Sequence, residues 1–268
     1  MTILRVAIAG LGAVGRSLAR RLAEGVDGLE LACAASGRRA AAREWLEREG
    51  IACPLVDLDE LPRYADVAVE CAPAAVLENV CRPMLLAGKR VLVLSVGALL
   101  PRPDLVELAR AHGGQIIVPT GALIGLDAVS AAAEGQIHSV TMVTRKPPKG
   151  LEGAPYLVSR GLSLEGLTEA KRIFAGTARE AATGFPANLN VVAALSLAGI
   201  GPDRTMIEIW ADPALRRNCH TIVVEADSAS FSMSIENVPS DNPKTGRITA
   251  LSALAALRKL TAPMRVGT

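Results

Sequence analysis

Three glycines near the start of the chain, Gly10, Gly12 and Gly15, have the spacing of a loop that binds the pyrophosphate of a dinucleotide. The apolar run at residues 6–9 predicts a strand that leads into this loop, and the residues after it predict an amphipathic helix. In such a unit the second glycine lets the backbone approach the pyrophosphate, the third lets the helix pack closely on the sheet, and the helix N-terminus attracts the phosphates. The predicted cofactor-binding residues of this loop are Gly10, Gly12, Ala13, Val14 and Gly15.

A second cofactor subsite is predicted at Ser36, Arg38 and Arg39, which follow the next predicted strand. An acidic residue usually stands here and accepts hydrogen bonds from the adenosine ribose, but this chain has none. Ser36 can donate a hydrogen bond to a 2′-phosphate, and either arginine can pair with it. We therefore expect the cofactor to be NADP or NAD, with NADP favoured. The alternative is that both arginines only begin a solvated helix.

His220 is the histidine best placed for proton transfer among the three in the chain. His112 stands at a predicted helix end, where a cation suits the macrodipole, and His138 enters a strand. His220 begins a strand after a loop, so its imidazole could reach a cleft, although a structural role is more common at such a position. Cys219 precedes it, but successive side chains of a strand point to opposite faces, so we expect no thiol–imidazole pair.

Two polar segments could hold a cofactor or a substrate. Asn188 lies before a predicted helix, where its amide could bond a nicotinamide carboxamide or ribose, or could simply cap that helix. Lys244 lies in a turn before the last predicted helix and would attract a carboxylate there. An exposed turn with solvated charges is the alternative for Lys244.

These residues depend on elements that alternate between strand and helix through the first half of the chain. Strands are predicted at 29–35, 66–72, 90–94 and 115–118, with a charged helix from about 39 to 49, and this alternation is typical of a doubly wound parallel sheet of the Rossmann type. Ligands of such sheets bind beyond the carboxyl ends of the strands, which adds Ala72 and Pro73 to the predicted cofactor residues.

The pattern changes in the second half of the chain. Residues 140–144 predict a strand, residues 145–150 a basic loop without regular structure, and residues 222–227 and 231–237 an antiparallel hairpin. We therefore expect a dinucleotide-binding domain at 1–121 and a second α/β domain at 122–246, for substrate and dimerisation. A last helix, within 247–268, is expected to pack back on the first domain.

Composition narrows the possible partners. The net charge of +2, without a run of arginines, argues against nucleic acid, and no apolar stretch is long enough to cross a membrane. The five cysteines form neither a CxxC pair nor a cluster with histidine, so no metal site is expected. A soluble, cytoplasmic protein that binds a small molecule is the resulting expectation.

The motifs, taken in order, resemble those of the L-aspartate dehydrogenase family. They include the glycine loop and six later segments, and the resemblance extends from about residue 5 to residue 260. The later segments are Ser95-Val96-Gly97-Ala98, Gly121-Ala122, Thr144-Arg145-Lys146-Pro147, residues 185–190, Asn218-Cys219-His220-Thr221-Ile222 and Asn242-Pro243-Lys244-Thr245.

The resemblance implies a Rossmann domain with an α/β substrate domain, a homodimer, and NAD(P)-dependent oxidation of L-aspartate to iminoaspartate. It implies that His220 is the active-site histidine and that Asn188 and the backbone N–H of Ala122 bind the cofactor. Lys244, Thr245 and Arg145 are then the candidates for holding the two substrate carboxylates. Two alternatives remain: another two-domain oxidoreductase, related to homoserine dehydrogenase or dihydrodipicolinate reductase, and a cofactor-binding sensor without turnover.

Overall fold

A parallel sheet organises the first half of the chain in the computed structural model, which describes residues 3–186, 189–240 and 246–267. Its strand order is β2-β1-β3-β4-β5, and every neighbouring pair is parallel. The bounds are β1 Leu4–Ala9, β2 Leu29–Ala35, β3 Val67–Glu70, β4 Arg90–Val93 and β5 Gln115–Ile117. The connecting helices are α1 Ala13–Ala23, α2 Arg39–Arg48, α3 Leu61–Tyr64, α4 Leu77–Leu86, α5 Val96–Leu99 and α6 Pro103–His112.

Helices cover both faces of this sheet, so its strands are apolar on both sides. One hydrophobic core joins Val6 and Ile8 of β1 to helices α1 and α2, and Trp45 is buried in it. The other core joins Ala7 and Ala9 to α4 and α6 on the opposite face. The Rossmann-type doubly wound sheet expected from the sequence is confirmed.

A second, mixed sheet has the strand order β10-β9-β6-β8-β7. Its central pair, β6 with β8, is parallel, and the other neighbouring pairs are antiparallel. The elements here are α7 Leu126–Ala133, β6 Ile137–Lys146, α8 Pro155–Ser159, β7 Lys171–Thr177, α9 Ala178–Gly184, α10 Asn190–Ala198, β8 Thr205–Ala211, β9 Asn218–Ala226 and β10 Ser230–Asn237.

One face of this second sheet is buried. Along β6 the residues Val140, Met142, Thr144 and Lys146 are buried while their neighbours are more exposed, as alternation along a strand requires. Helices α9 and α10 pack on β8, and α7 packs on α10. We call the buried side the inner face of the second sheet and the opposite side its outer face.

The last helix, α11 Ile248–Thr261, contributes Ala253, Leu254 and Leu257 to the first hydrophobic core. The chain forms two compact units, one of Met1–Gly121 with Thr249–Arg265 and one of Ala122–Ile248 with Val266–Thr268. The helix therefore belongs to the unit that holds the parallel sheet.

One predicted loop is a strand for part of its length. Residues 145–150 were expected to lack regular structure, but β6 continues through Arg145 and Lys146, and a short 3-10 turn follows at Pro148–Gly150. The strand ends where Pro147 lacks the N–H that a sheet ladder needs. The extension matters because it fixes which face of the sheet each of these two cations occupies.

Candidate active site

The glycine loop connects β1 to α1 beside the ends of two other strands. Gly10 has φ +108°, and its N–H donates to the Ala35 carbonyl at the end of β2, 2.8 Å away. A β-carbon on Gly10 would lie 2.6 Å from the Cys71 carbonyl oxygen and 2.7 Å from the Ala72 nitrogen. The structure therefore brings together the loops after β1, β2 and β3, where the sequence predicted cofactor contacts.

Gly12 and Gly15 have different surroundings within the same loop. A β-carbon on Gly15 would lie 1.9 Å from the Gly10 carbonyl oxygen, so α1 packs too closely for any side chain there. A β-carbon on Gly12 would meet nothing within 4 Å, so its surface is open. In the described part of the chain no side chain caps α1, whose first residues are Ala13 and Val14. These features fit a dinucleotide pyrophosphate, which needs open backbone and free helix N–H groups.

The two arginines after β2 have different partners. The Arg39 guanidinium donates to a carboxylate oxygen of Asp57 and, at 2.8 Å, to the Leu55 carbonyl, so it is held by its own neighbourhood. Arg38 is exposed, and its backbone N–H donates to Ser36 Oγ at 3.2 Å. Because Ser36 accepts that bond, its hydroxyl proton can still be donated. The sequence could not distinguish the two arginines; in the structure Arg39 has these two partners and Arg38 is exposed.

A buried carboxylate, Glu70, supports the loops next to this site. The side chain is fully buried at the end of β3 and accepts hydrogen bonds from the Ser95 backbone at 2.8 Å, the Ser95 hydroxyl at 3.0 Å and the Leu94 backbone at 3.2 Å. Burial raises the pKa of Glu70, and the bonds from Ser95 oppose that rise. Glu70 therefore ties the turn after β4 to the strand that leads into Ala72 and Pro73. Sequence reasoning had assigned it only to a strand.

His220 lies on the inner face of the second sheet and is hydrogen-bonded across it. Thr144 and His220 occupy the same register position on the antiparallel strands β6 and β9. Thr144 Oγ1 and His220 Nδ1 are 3.2 Å apart, and the donor depends on the histidine tautomer. Both residues are at most 3% exposed. The hydroxyl therefore fixes the orientation of the imidazole, and Nε2 is the ring nitrogen left for chemistry.

Lys146 belongs to the same buried group, although the sequence analysis assigned it no role. It follows Thr144 by two residues on β6, so both side chains are on the inner face, and Lys146 is 5% exposed. Burial lowers the pKa of Lys146 to about 8. Burial, and then the positive charge of Lys146, lowers the pKa of His220 to about 3. At neutral pH the imidazole is therefore neutral and the lysine carries the charge.

The structure does not bring Arg145 to His220. Arg145 lies on the outer face, with its guanidinium 4.8 Å from the centre of the Trp210 ring and 3.6 Å from Asp212. Cys219 is also on the side opposite to His220, as strand alternation predicted. Because the strand continues through Arg145, this residue and His220 lie on opposite faces of the second sheet.

Ala122 is held by a residue that the sequence analysis did not single out. Asn237, at the end of β10, is 4% exposed and donates from Nδ2 to the Ala122 carbonyl at 2.9 Å. Its Oδ1 is buried without a hydrogen-bond partner among the described residues. Asn237 therefore fixes the peptide group beside the Ala122 N–H that the family resemblance assigns to the cofactor.

Several predicted positions fall outside the described residues: Asn188, Lys244 and Thr245. Within the described ranges, no group of three or more histidine, cysteine or acidic side chains could hold a metal ion. All five cysteines are free thiols. No helix among the described residues is long and apolar enough to span a membrane.

Known proteins resemble this chain along its whole length. Residues 127–260 match the family profile described as aspartate dehydrogenase, C-terminal, and residues 10–119 match the homoserine dehydrogenase NAD-binding domain. L-aspartate dehydrogenase 3 of Bordetella bronchiseptica is 58% identical over 99% of this chain and 98% of its own, and L-aspartate dehydrogenase of Bradyrhizobium diazoefficiens is 57% identical over 99% and 94%.

The fold also matches a solved structure. The crystal structure of aspartate dehydrogenase from Thermotoga maritima superposes with a TM-score of 0.76 and 24% identity, and the match covers 98% of this chain and 99% of that one. At that identity the likeness concerns the fold alone. The full-length similarity to the two bacterial relatives, together with the matched family profile, shows that the chain belongs to the L-aspartate dehydrogenase family.

Proposed function

We propose that this chain catalyses the NAD(P)-dependent oxidation of L-aspartate to iminoaspartate, which hydrolyses to oxaloacetate and ammonia, or the reverse reductive amination. The observation that carries the proposal is the buried His220, held by Thr144 on the inner face of the second sheet, in a member of this family. A buried imidazole in a fixed orientation suits a hydrogen bond to a substrate amine.

The glycine loop supports the proposed cofactor. Gly10, Gly12 and Gly15 would receive the pyrophosphate with the N–H groups of Ala13 and Val14, and the loop at Ala72 and Pro73 borders them. When bound, the nicotinamide ring accepts the hydride that leaves the α-carbon of the substrate. We assign the Ala122 N–H and Asn188 to the cofactor as well.

NADP is the cofactor that we favour. Arg38 and Ser36 supply a cation and a hydroxyl at the end of β2, and no acidic residue stands among residues 35–39 to repel a 2′-phosphate. Arg39 contributes positive charge nearby but is held by Asp57.

For the substrate, we assign Lys244 and Thr245 to the carboxylates, and His220 to the reacting centre. The neutral imidazole would contact the substrate amine through Nε2 while Thr144 holds Nδ1. Arg145 is left out because it lies on the outer face of the sheet, stacked on Trp210.

A homodimer in the cytoplasm completes the proposal. Met206 and Val223 are exposed apolar residues on the outer face, both paired in register with Thr141 of β6, so they form one row across three strands. Exposed apolar side chains on either side of Thr141 suit contact with a second copy of the chain. The five free cysteines suit a reducing compartment. Light scattering on the wild type and on Met206→Glu would test the dimer.

The reaction is tested by mixing the purified protein with L-aspartate and NADP or NAD, and following the absorbance of the reduced nicotinamide. L-Glutamate and L-homoserine serve as comparison substrates. Turnover confined to L-aspartate would support the proposal. Turnover of another substrate only would favour a different oxidoreductase, and tight cofactor binding without any turnover would favour a sensor.

A further inference from the structure

The inner face of the second sheet holds three adjoining polar side chains where the rest of the strands is apolar. Thr144 and His220 are cross-strand partners, and Lys146 follows on the same face of β6. The neighbouring inward residues, Met142 and Ile222, are fully buried. Lysine is rarely buried this deeply, so Lys146 is the member of this group whose role needs an explanation.

On this geometry we propose that Lys146 is the proton acceptor of the reaction, and that His220 acts beside it as a neutral hydrogen-bonding partner. The inference rests on the proposed function and adds a residue to its site. L-Aspartate enters as an ammonium ion and cannot lose a hydride until that ion has given up a proton. The proton passes to Lys146 Nζ, and the nitrogen lone pair then forms the C=N bond as the hydride leaves the α-carbon for the oxidised nicotinamide.

Charge decides between the two candidate bases. The imidazole of His220 is buried next to a cation, and both effects disfavour its protonated form, which makes it a weak proton acceptor. With a pKa of about 8, Lys146 is mostly charged at pH 7 but is neutral in about half of the molecules near pH 8, where it can accept a proton. A base whose pKa lies near the working pH is the more efficient one.

Titratable groups after β8 and on the helices around this sheet have contacts of their own. Asp212, after β8, accepts from the Ala214 N–H and lies 3.6 Å from Arg145. On α9, Arg179 pairs with Asp203, and the Glu180 carboxylate accepts from Thr177. The described residues of α10 include no titratable side chain, and α7 carries Asp127. His220 is the titratable group whose pKa registers the charge of Lys146.

The first arm of the test needs no substrate. Ring signals of His220 are titrated by NMR in the wild type, in Lys146→Met and in Lys149→Met, the last being a matched exposed lysine three residues along the chain. We expect the apparent pKa of His220 to rise in Lys146→Met and to stay unchanged in Lys149→Met. An unchanged His220 titration in Lys146→Met would overturn the pairing of the two residues.

The second arm measures aspartate oxidation against pH. Wild-type kcat/KM should rise with an apparent pKa near 8, the value of Lys146 in the free protein, and Lys146→Arg, which cannot lose its proton, should lose this limb and about 10²- to 10⁴-fold in kcat. Methylamine should restore part of the activity of Lys146→Ala. A near-normal kcat with a raised KM in Lys146→Arg would overturn the role of Lys146 as proton acceptor. It would leave this residue only a role in binding a substrate carboxylate. If the wild type does not oxidise aspartate but the pKa of His220 still rises in Lys146→Met, the proposed function is contradicted while the pairing of the two residues stands.

Discussion

Thr144 Oγ1 lies 3.2 Å from His220 Nδ1, between residues that face each other across the antiparallel pair of β6 and β9. The contact joins two segments that are 76 residues apart in sequence. Because both side chains are buried, the imidazole has a single orientation fixed by the sheet register. Substitutions at Thr144 and His220 should therefore affect chemistry and stability in separable ways.

His220→Asn should lower kcat for L-aspartate by about 10²-fold or more, because it removes the ring nitrogen placed at the reacting centre. Cofactor affinity, measured by fluorescence titration, should change little. His138→Asn is the matched control, since His138 is an exposed residue of β6. A near-normal kcat in His220→Asn would remove this residue from the mechanism.

Thr144→Val should destabilise the protein by about 1–3 kcal/mol, because it leaves the buried Nδ1 of His220 without its partner. It should also lower kcat, since the imidazole loses its orientation. Thr144→Ser keeps the hydroxyl and should recover most of the activity. Equal losses of kcat in the valine and serine variants would show that the methyl group, and not the hydrogen bond, matters.

Gly12→Ala and Gly15→Ala should both weaken cofactor binding, but only Gly15→Ala should also destabilise the fold. A methyl group on Gly12 enters open space, so the fold should persist while cofactor affinity falls. A methyl group on Gly15 would lie 1.9 Å from the Gly10 carbonyl oxygen, so the melting temperature should fall as well. Thermal unfolding and NADP titration of both variants would check this. A Gly15→Ala variant as stable as the wild type would contradict the close packing of α1.

Arg38→Ala should weaken NADPH binding by about 10- to 100-fold, the effect of losing a charge-assisted contact, with little effect on NADH. Arg39→Ala should have a smaller effect on the NADPH/NADH ratio, because Asp57 and the Leu55 carbonyl hold Arg39 in place. The readout is kcat/KM with each cofactor. A wild type that strongly prefers NADH would contradict the assignment for both arginines.

The buried imidazole should make stability depend on pH. The pKa of His220 is about 3 in the folded chain and about 6.5 when exposed, so its contribution is complete above pH 6.5 and is lost as the pH falls toward 3. Between pH 7 and pH 5 the loss should be about 2 kcal/mol. Lys146 is mostly protonated in both the folded and the unfolded chain between pH 5 and pH 7, so it adds little to the pH dependence of stability. Urea unfolding should show that the loss of stability between pH 7 and pH 5 is about 2 kcal/mol larger in the wild type than in His220→Asn.

Much of the fold could be predicted from hydrophobic periodicity. The predicted strands of the first half correspond to β2–β5, the hairpin lies at β9 and β10, and the last helix spans Ile248–Thr261. These segments are apolar runs bounded by turn residues, which local sequence describes well. The extension of β6 to Lys146 was missed because charge and nearby prolines outweighed the pairing that β8 and β9 provide on either side.

The site was predicted less completely than the fold. Glycine spacing and the position of His220 are visible in sequence, since each depends on residue type and local pattern. Glu70, Lys146 and Asn237 act through burial and through partners distant in sequence, such as Ser95 for Glu70 and Ala122 for Asn237. No local pattern marks a polar residue that becomes buried, so these residues required the structure.

A crystal structure with NADP and an unreactive four-carbon dicarboxylate would test the proposed role of His220 most directly. The dicarboxylate should lie beside His220, with Nε2 within about 3 to 3.5 Å of the position of the substrate amine. A dicarboxylate bound away from His220, for example at Arg145 on the outer face of the second sheet, would contradict it.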